Sequence, residues 1–94
     1  MSHTPGPWKH EDRTYVYALN EQGSNRFYVD VQRGRANGEL TQLAELLANA
    51  RLIAAAPDLL AALELARSWV AIRLGDTHDD LQKIDAAIRK AKGG

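Results

Sequence analysis

The chain has 94 residues, with 12 basic and 12 acidic side chains and no cysteine. This length supports one hydrophobic core, so we expect a single domain over 1–94. The balanced charge argues against a nonspecific nucleic-acid binder, and the missing cysteines exclude disulfides and thiolate sites. No apolar run is long enough to cross a bilayer and no signal segment is recognised, which favours a cytosolic protein.

The N-terminal part, 4–32, is predicted to be rich in β-structure. Thr4–Trp8 contains two prolines, which exclude a helix there. Thr14–Leu19 and Arg26–Gln32 follow, and both alternate with the period of two that is typical of half-buried strands. We predict an antiparallel hairpin, or a three-stranded sheet in which Trp8–Glu11 adds an edge strand.

Three helices are predicted in the remainder of the chain, at 39–56, 57–74 and 78–92. The first follows a loop at 33–38 and is expected to begin at Glu39 or Thr41. Pro57 divides it from the second helix, since proline suits the first turn of a helix. The expected fold class is α+β, with the N-terminal sheet packed on two to three C-terminal helices.

Each predicted helix carries an apolar stripe at helical spacing. The stripes are Leu43, Leu47, Ala50 and Ala54 in the first helix, Leu59, Leu63, Ala66 and Val70 in the second, and Leu81, Ile84, Ile88 and Ala91 in the third. We expect the first stripe to face the sheet. A sequence that resembles a capping box, Thr77–Asp80, opens the third helix.

The first two helices are also apolar outside these stripes, at Leu52, Leu65, Trp69 and Ile72. Leaving such side chains in water forgoes about 1.5 to 3 kcal/mol each. We therefore expect these four residues to form the interface of a homo-oligomer, a dimer or higher, because closed symmetric assemblies are common. In the alternative, the hairpin and the third helix cover them within one chain.

No catalytic pattern is recognised in the sequence. His3, His10 and His78 lack the spacing that places two metal ligands on one helix face. The neighbouring carboxylates Glu11 and Asp12 diverge, unlike a general acid and base that share a substrate. We expect a binding protein without enzymatic activity, metal or cofactor.

The residues best suited to ligand binding are arginines and aromatic side chains. Arg33 and Arg35 flank Gly34 in a loop that leads to a helix N-terminus, where anions are favoured. Aromatic faces can stack on a nucleotide base. The expected ligand-binding set is Trp8, Arg26, Tyr28, Arg33, Arg35 and Arg51. In the alternative, the arginines are solvated surface charges and the aromatic rings pack in the sheet.

Two motifs carry a family resemblance: TPGPW at Thr4–Trp8 and NARLIAAAPDLLAAL at Asn49–Leu63. They resemble a widespread group of small bacteriophage and prophage proteins. The resemblance implies a phage accessory protein that acts in the host bacterial cytoplasm, and it supplies no catalytic residues. Small oligomeric phage proteins of this kind include sponges that sequester nucleotide signals made by bacterial defence systems.

The resulting hypothesis is an oligomeric sponge for a small phosphorylated immune signal of the cyclic-nucleotide type. One alternative is a phage inhibitor or adaptor that docks the apolar backs of its helices on a host protein. A second alternative is a small DNA-binding regulator, which the local charge balance argues against.

Overall fold

The computed structural model describes residues 3–36, 38–75 and 77–93, and it confirms the α+β fold class, with antiparallel strands followed by three helices. The elements are β1 (Tyr15–Leu19), β2 (Asn25–Asp30), β3 (Arg35–Ala36), β4 (Glu39–Leu40), α1 (Leu43–Ala54), α2 (Ala56–Leu74) and α3 (Asp79–Lys92). Two compact units are distinguished, Thr4–Pro57 and the part of the chain from Asp58 onward. The single domain expected for 1–94 stays a prediction.

The predicted hairpin is formed by β1 and β2, which pair in antiparallel register with Val16 opposite Val29. The turn is held by Asn20, whose Oδ1 accepts hydrogen bonds from the backbone N–H groups of Gln22 and Ser24 at 3.0 and 2.9 Å. Asn favours such turns because its side chain mimics a backbone acceptor.

The predicted edge strand at Trp8–Glu11 is reduced to one antiparallel bridge, between Lys9 and Tyr17. The backbone N–H of Lys9 donates to the Tyr17 carbonyl at 2.7 Å, and the reverse bond measures 2.9 Å. Glu11 and Asp12 follow in the left-handed region, with φ of 49° and 53°. This turn directs the chain away from β1, so pairing stops after one residue.

The core of the first unit lies between the inner face of β1 and one side of α1. Val16, Ala50 and Ala54 are buried together, and Trp8, Phe27, Val31 and Ile53 pack around them. The prediction that the apolar stripe of the first helix packs on the sheet is therefore confirmed for Ala50 and Ala54. Leu43 is instead 52% exposed, because it is the first residue of α1 and precedes the buried ridge that starts at Leu46.

A second, short hairpin occupies the segment where we expected a loop and a helix start. β3 pairs with β4, with Arg35 opposite Leu40, and α1 begins at Leu43 instead of Glu39 or Thr41. Gly38 has φ of +81°, a conformation that glycine adopts without strain. The expected loop also includes Asn37, which lies outside the described residues.

In the second unit, ion pairs join α2 and α3. Arg67 pairs with Asp85, and Lys92 Nζ lies 3.3 Å from a carboxylate oxygen of Glu64. The side of α2 that faces α3 differs from the predicted stripe. The half-buried side chains of α2 after Pro57 are Leu60, Leu63, Glu64, Arg67, Val70 and Ala71, whereas Leu59 and Ala66 are exposed.

The start of α3 is capped by a residue other than the expected Thr77. His78 is the N-cap, and its Nδ1 accepts a hydrogen bond from the backbone N–H of Asp80 at 3.1 Å. The imidazole nitrogen thus replaces the hydroxyl oxygen usual at this position. Leu81, on the first turn, is fully buried.

Candidate functional site

A depression with a volume of about 530 Å³ lies where the short hairpin meets the start of α1. We call it the arginine pocket; its lining residues are Arg33, Arg35, Gly38, Glu39, Leu40, Thr41, Gln42 and Leu43. Arg33 and Arg35, which the sequence placed before a helix N-terminus, line this single depression. The lining includes two guanidinium groups and one carboxylate, that of Glu39, so the pocket carries an excess of positive charge.

The segment between the two arginines is held by Thr41. Its Oγ1 accepts a hydrogen bond from the Gly34 N–H at 3.0 Å and donates to the Gly34 carbonyl at 3.1 Å. The backbone N–H of Thr41 also donates to that carbonyl, at 3.0 Å. Arg33 and Arg35 are therefore attached to a segment fixed beside α1. This role of Thr41 was not predicted from the sequence.

The two arginines differ in their own contacts. Arg35 donates from one Nη to the Gly38 carbonyl at 3.2 Å, which keeps its guanidinium beside the hairpin turn. The Arg33 guanidinium makes no hydrogen bond or ion pair with any of the described residues. Since a guanidinium has five N–H donors, most donors of this pair remain available to a ligand.

The helix end at the pocket lacks a side-chain cap. Gln42 is the N-cap of α1, with extended φ and ψ of −68° and 147°, and its side chain forms no capping hydrogen bond. The first N–H groups of a helix have no partner within the helix, and they lie at the positive end of the dipole. The start of α1 therefore adds backbone N–H donors, and its partial positive charge has the same sign as the charge of the arginines.

Three tyrosines form a second surface, on the outer face of the β1–β2 hairpin. The Tyr15 and Tyr28 rings stack with centroids 5.5 Å apart, and the Tyr15 and Tyr17 centroids are 5.9 Å apart. Together with Asn25 they line a depression of about 400 Å³. We call this surface the tyrosine face; its most open ring is Tyr28, which is 54% exposed.

The hydroxyl of Tyr17 donates a hydrogen bond to the Glu11 carboxylate. This bond raises the pKa of Tyr17 to about 12, with smaller contributions from burial and from the negative charges of Glu11 and Tyr15. The Tyr17 side chain is neutral at physiological pH and supplies an uncharged edge to the tyrosine face.

The structure does not bring the predicted Trp8 and Tyr28 together. The Trp8 ring stacks on Phe27 with centroids 4.7 Å apart, and its Nε1 donates to the Thr4 carbonyl at 3.0 Å. Phe27 belongs to the inner face of the hairpin and Tyr28 to the outer face, because neighbouring side chains of a strand point in opposite directions. Base stacking by Trp8 stays a prediction.

Arg26 and Arg51 do not join the other two arginines. Neither lines the arginine pocket. Arg26 is exposed on β2, and Arg51, on α1, lies 3.8 Å from a carboxylate oxygen of Asp12. Both partners of this ion pair are largely exposed, and ligand binding by Arg26 and Arg51 stays a prediction.

The two motifs that carried the family resemblance touch each other. A Cβ built on Gly6 would lie 3.1 Å from Cβ of Pro57, closer than carbon atoms pack comfortably. Only glycine gives this close approach without displacement. The N-terminal TPGPW segment is thereby seated against the proline that follows α1.

Within the described ranges, no three His, Asp or Glu side chains lie close enough to hold a metal ion. Over the same residues, no helix by itself combines the length and hydropathy of a membrane span, although α1 and α2 do so when taken together by length and composition.

A family model described as Salmonella phage P22 protein Y8K6 matches residues 1–94. The chain belongs to this family. Its resemblance to small phage proteins is therefore confirmed at the level of a phage protein family. No curated protein and no solved structure gives a significant match. A function must accordingly be argued from the geometry of the site.

Proposed function

We propose that this phage protein is a binding protein that sequesters a small phosphorylated ligand in the arginine pocket, with a bacterial immune signal of the cyclic-nucleotide type as the expected ligand. One observation carries the proposal: Arg33 and Arg35 line the same depression at the uncapped start of α1. The protein would act in the cytoplasm of the infected host.

The chemistry of the pocket suits a phosphate group. Guanidinium groups bind phosphate oxygens through paired N–H donors, and a helix N-terminus adds backbone donors. The volume of about 530 Å³ is in the range of small-molecule sites. Glu39 opposes anion binding, but the two guanidinium groups outweigh its single negative charge.

The tyrosine face supports a ligand that also carries a base. Tyr28 and Arg33 are five residues apart, so their Cα atoms are separated by at most about 18 Å. We expect the base of an extended nucleotide held by its phosphate at Arg33 to contact the Tyr28 ring. Stacking of a base on an aromatic side chain contributes about 1 to 3 kcal/mol.

The test is a thermal-shift and calorimetry panel of inorganic phosphate, mononucleotides and cyclic nucleotides. We expect one nucleotide to raise the melting temperature, since ligands that bind only the folded state stabilise it. The double variant Arg33→Gln/Arg35→Gln should weaken binding by at least tenfold, because a hydrogen bond to a charged group contributes about 1.5 to 3 kcal/mol.

The matched control is Arg26→Gln, which removes an exposed arginine outside the pocket. Equal losses in the control and the double variant would show a general charge effect and contradict this site. Tyr28→Ala separates the two parts of the ligand: it should weaken nucleotide binding and leave inorganic phosphate binding unchanged.

Sequestration further requires stoichiometric binding without turnover. A dissociation constant near nanomolar corresponds to a binding free energy of about −12 kcal/mol. A protein with this affinity would remove from solution a signal whose concentration lies above the dissociation constant. The nucleotide should be recovered chemically intact after the protein is denatured. Recovery of a converted product would overturn the binding-protein assignment in favour of an enzyme.

A second candidate is an inhibitor or adaptor of a host protein. It is supported by large apolar side chains that are exposed on α1 and α2, namely Leu52, Leu65, Trp69 and Ile72. A protein that is monomeric in solution and unaffected by every nucleotide in the panel would favour this candidate over the first.

A further inference from the structure

The exposed side of α2 carries an unusually regular apolar row. Ala62, Leu65, Trp69 and Ile72 follow one another at intervals of three, four and three residues. All four are exposed, with 64% of Leu65, 59% of Trp69 and 77% of Ile72 accessible to solvent. This alternating spacing is the heptad pattern through which one helix packs along another. We call the four residues the α2 seam.

The surroundings of the α2 seam allow a second helix to approach. Ala61, Ala66 and Ser68, which flank it, are small and exposed. The opposite side of α2 faces α3 through the ion pairs of Glu64 and Arg67, so the seam is separate from that contact. Small flanking residues permit the short interaxial distances of closely packed helices.

We propose that a second copy of this chain packs antiparallel on the α2 seam and forms a two-fold symmetric dimer. With the two-fold axis at the level of Arg67, Leu65 of one copy lies opposite Trp69 of the other. The same axis places the small Ala62 opposite the large Ile72. The outer layer therefore pairs a small residue with a large one, and the central layer buries two large apolar side chains against each other, as heptad positions do in antiparallel helices.

Charge supports the same orientation. Asp58 lies in line with the seam near the start of α2, and Arg73 lies beside it near the end; both are exposed. Antiparallel packing brings Asp58 of one copy within a helical turn of Arg73 of the other, at both ends of the dimer. Parallel packing would instead set Asp58 against Asp58 and Trp69 against Trp69, with like charges and the two largest rings in register.

The first test is the solution mass, measured by sedimentation or light scattering over a range of protein concentrations. We expect a dimer for the natural sequence. Trp69→Gln should weaken dimerisation at least tenfold without unfolding, since this side chain is exposed within one chain. The matched control is Leu59→Gln, an exposed leucine of the same helix that lies off the seam and should leave the dimer intact.

Orientation is tested by cross-linking, for which a chain without cysteine is well suited. A mixture of the Ala62→Cys and Ile72→Cys variants should form a disulfide between unlike copies under mild oxidation. Ala62→Cys alone should not, because in the antiparallel dimer its two copies are about 15 Å apart along the axis. Efficient cross-linking of Ala62→Cys alone would overturn the antiparallel arrangement.

A charge exchange provides a second check on orientation. Asp58→Arg and Arg73→Asp should each weaken the dimer, and the double variant should restore it. A monomer at every concentration, or equal effects of Trp69→Gln and Leu59→Gln, would overturn the proposal. Neither result bears on the nucleotide panel, so failure of the dimer and failure of ligand binding are distinguishable.

Discussion

At the scale of single residues, the contact between Gly6 and Pro57 makes a sharp prediction. A methyl group at Gly6 would meet Cβ of Pro57 at 3.1 Å, and the proline ring has little freedom to move aside. Gly6→Ala should lower the free energy of unfolding by about 1 to 3 kcal/mol, the usual cost of overpacking. Urea denaturation measures the change.

The control for this substitution is Gly34→Ala. Its added Cβ would lie 3.7 Å from Thr41 Oγ1, which is ordinary van der Waals contact, and its φ is not positive. A loss of stability at Gly34 equal to that at Gly6 would show that the effect comes from backbone freedom and not from the contact with Pro57.

The raised pKa of Tyr17 predicts how the stability of the protein changes at alkaline pH. Its folded-state pKa of about 12 lies above the ordinary value of 10.0, because Glu11 accepts a hydrogen bond from the neutral hydroxyl. The resulting stabilisation is complete below pH 10 and is lost as the pH rises through about 12. In Tyr17→Phe, the unfolding free energy should therefore fall less steeply across this interval. Identical slopes for the two proteins would contradict the assigned hydrogen bond.

At the scale of elements, Thr41 links the short hairpin to the start of α1. Thr41→Val keeps the shape of the side chain but removes both hydrogen bonds of Oγ1 to Gly34. We expect a loss of about 1 kcal/mol in unfolding free energy and, on the proposed function, weaker binding of the nucleotide at the arginine pocket.

Thr41→Ser is the matched control, because it retains the hydroxyl and should preserve nucleotide binding. If Thr41→Val lowered stability but left the affinity unchanged, Thr41 would hold the hairpin without positioning the arginines. Calorimetry on all three proteins separates these outcomes.

The longer elements were predictable because their sequence periods are strong. Alternation in Thr14–Leu19 indicated β1, and the apolar spacing around Pro57 indicated α1 and α2. The short hairpin was missed although Asn37–Gly38 is a strong hairpin dipeptide. Its strands are only two residues long, too short for any period to appear.

The buried side of α2 could not be predicted in the same way. The helix is apolar over most of its circumference, so hydropathy does not select one side. Glu64 and Arg67, which a periodic pattern assigns to solvent, lie instead on the side of α2 that faces α3 and form ion pairs with it. Such pairing depends on a distant helix and is not visible in local sequence.

At the scale of the whole molecule, the candidate site was predictable only in part. Arg33 and Arg35 line one depression because they are only two residues apart in the chain. Arg26, Arg51 and Trp8 do not line it; Arg51 pairs with Asp12, and Trp8 stacks on Phe27. Membership of the phage P22 protein Y8K6 family supports a phage origin and leaves the ligand to experiment.

The bare start of α1 bears on how sequences of this family can change. Serine or aspartate at Gln42 would satisfy the N–H groups of the first turn and add about 1 kcal/mol of stability. On the proposed function, the same substitution would fill the place of the incoming anion with a protein oxygen. On that proposal, selection for a more stable fold and selection for ligand capture would act in opposite directions at Gln42, whose side chain forms no capping hydrogen bond.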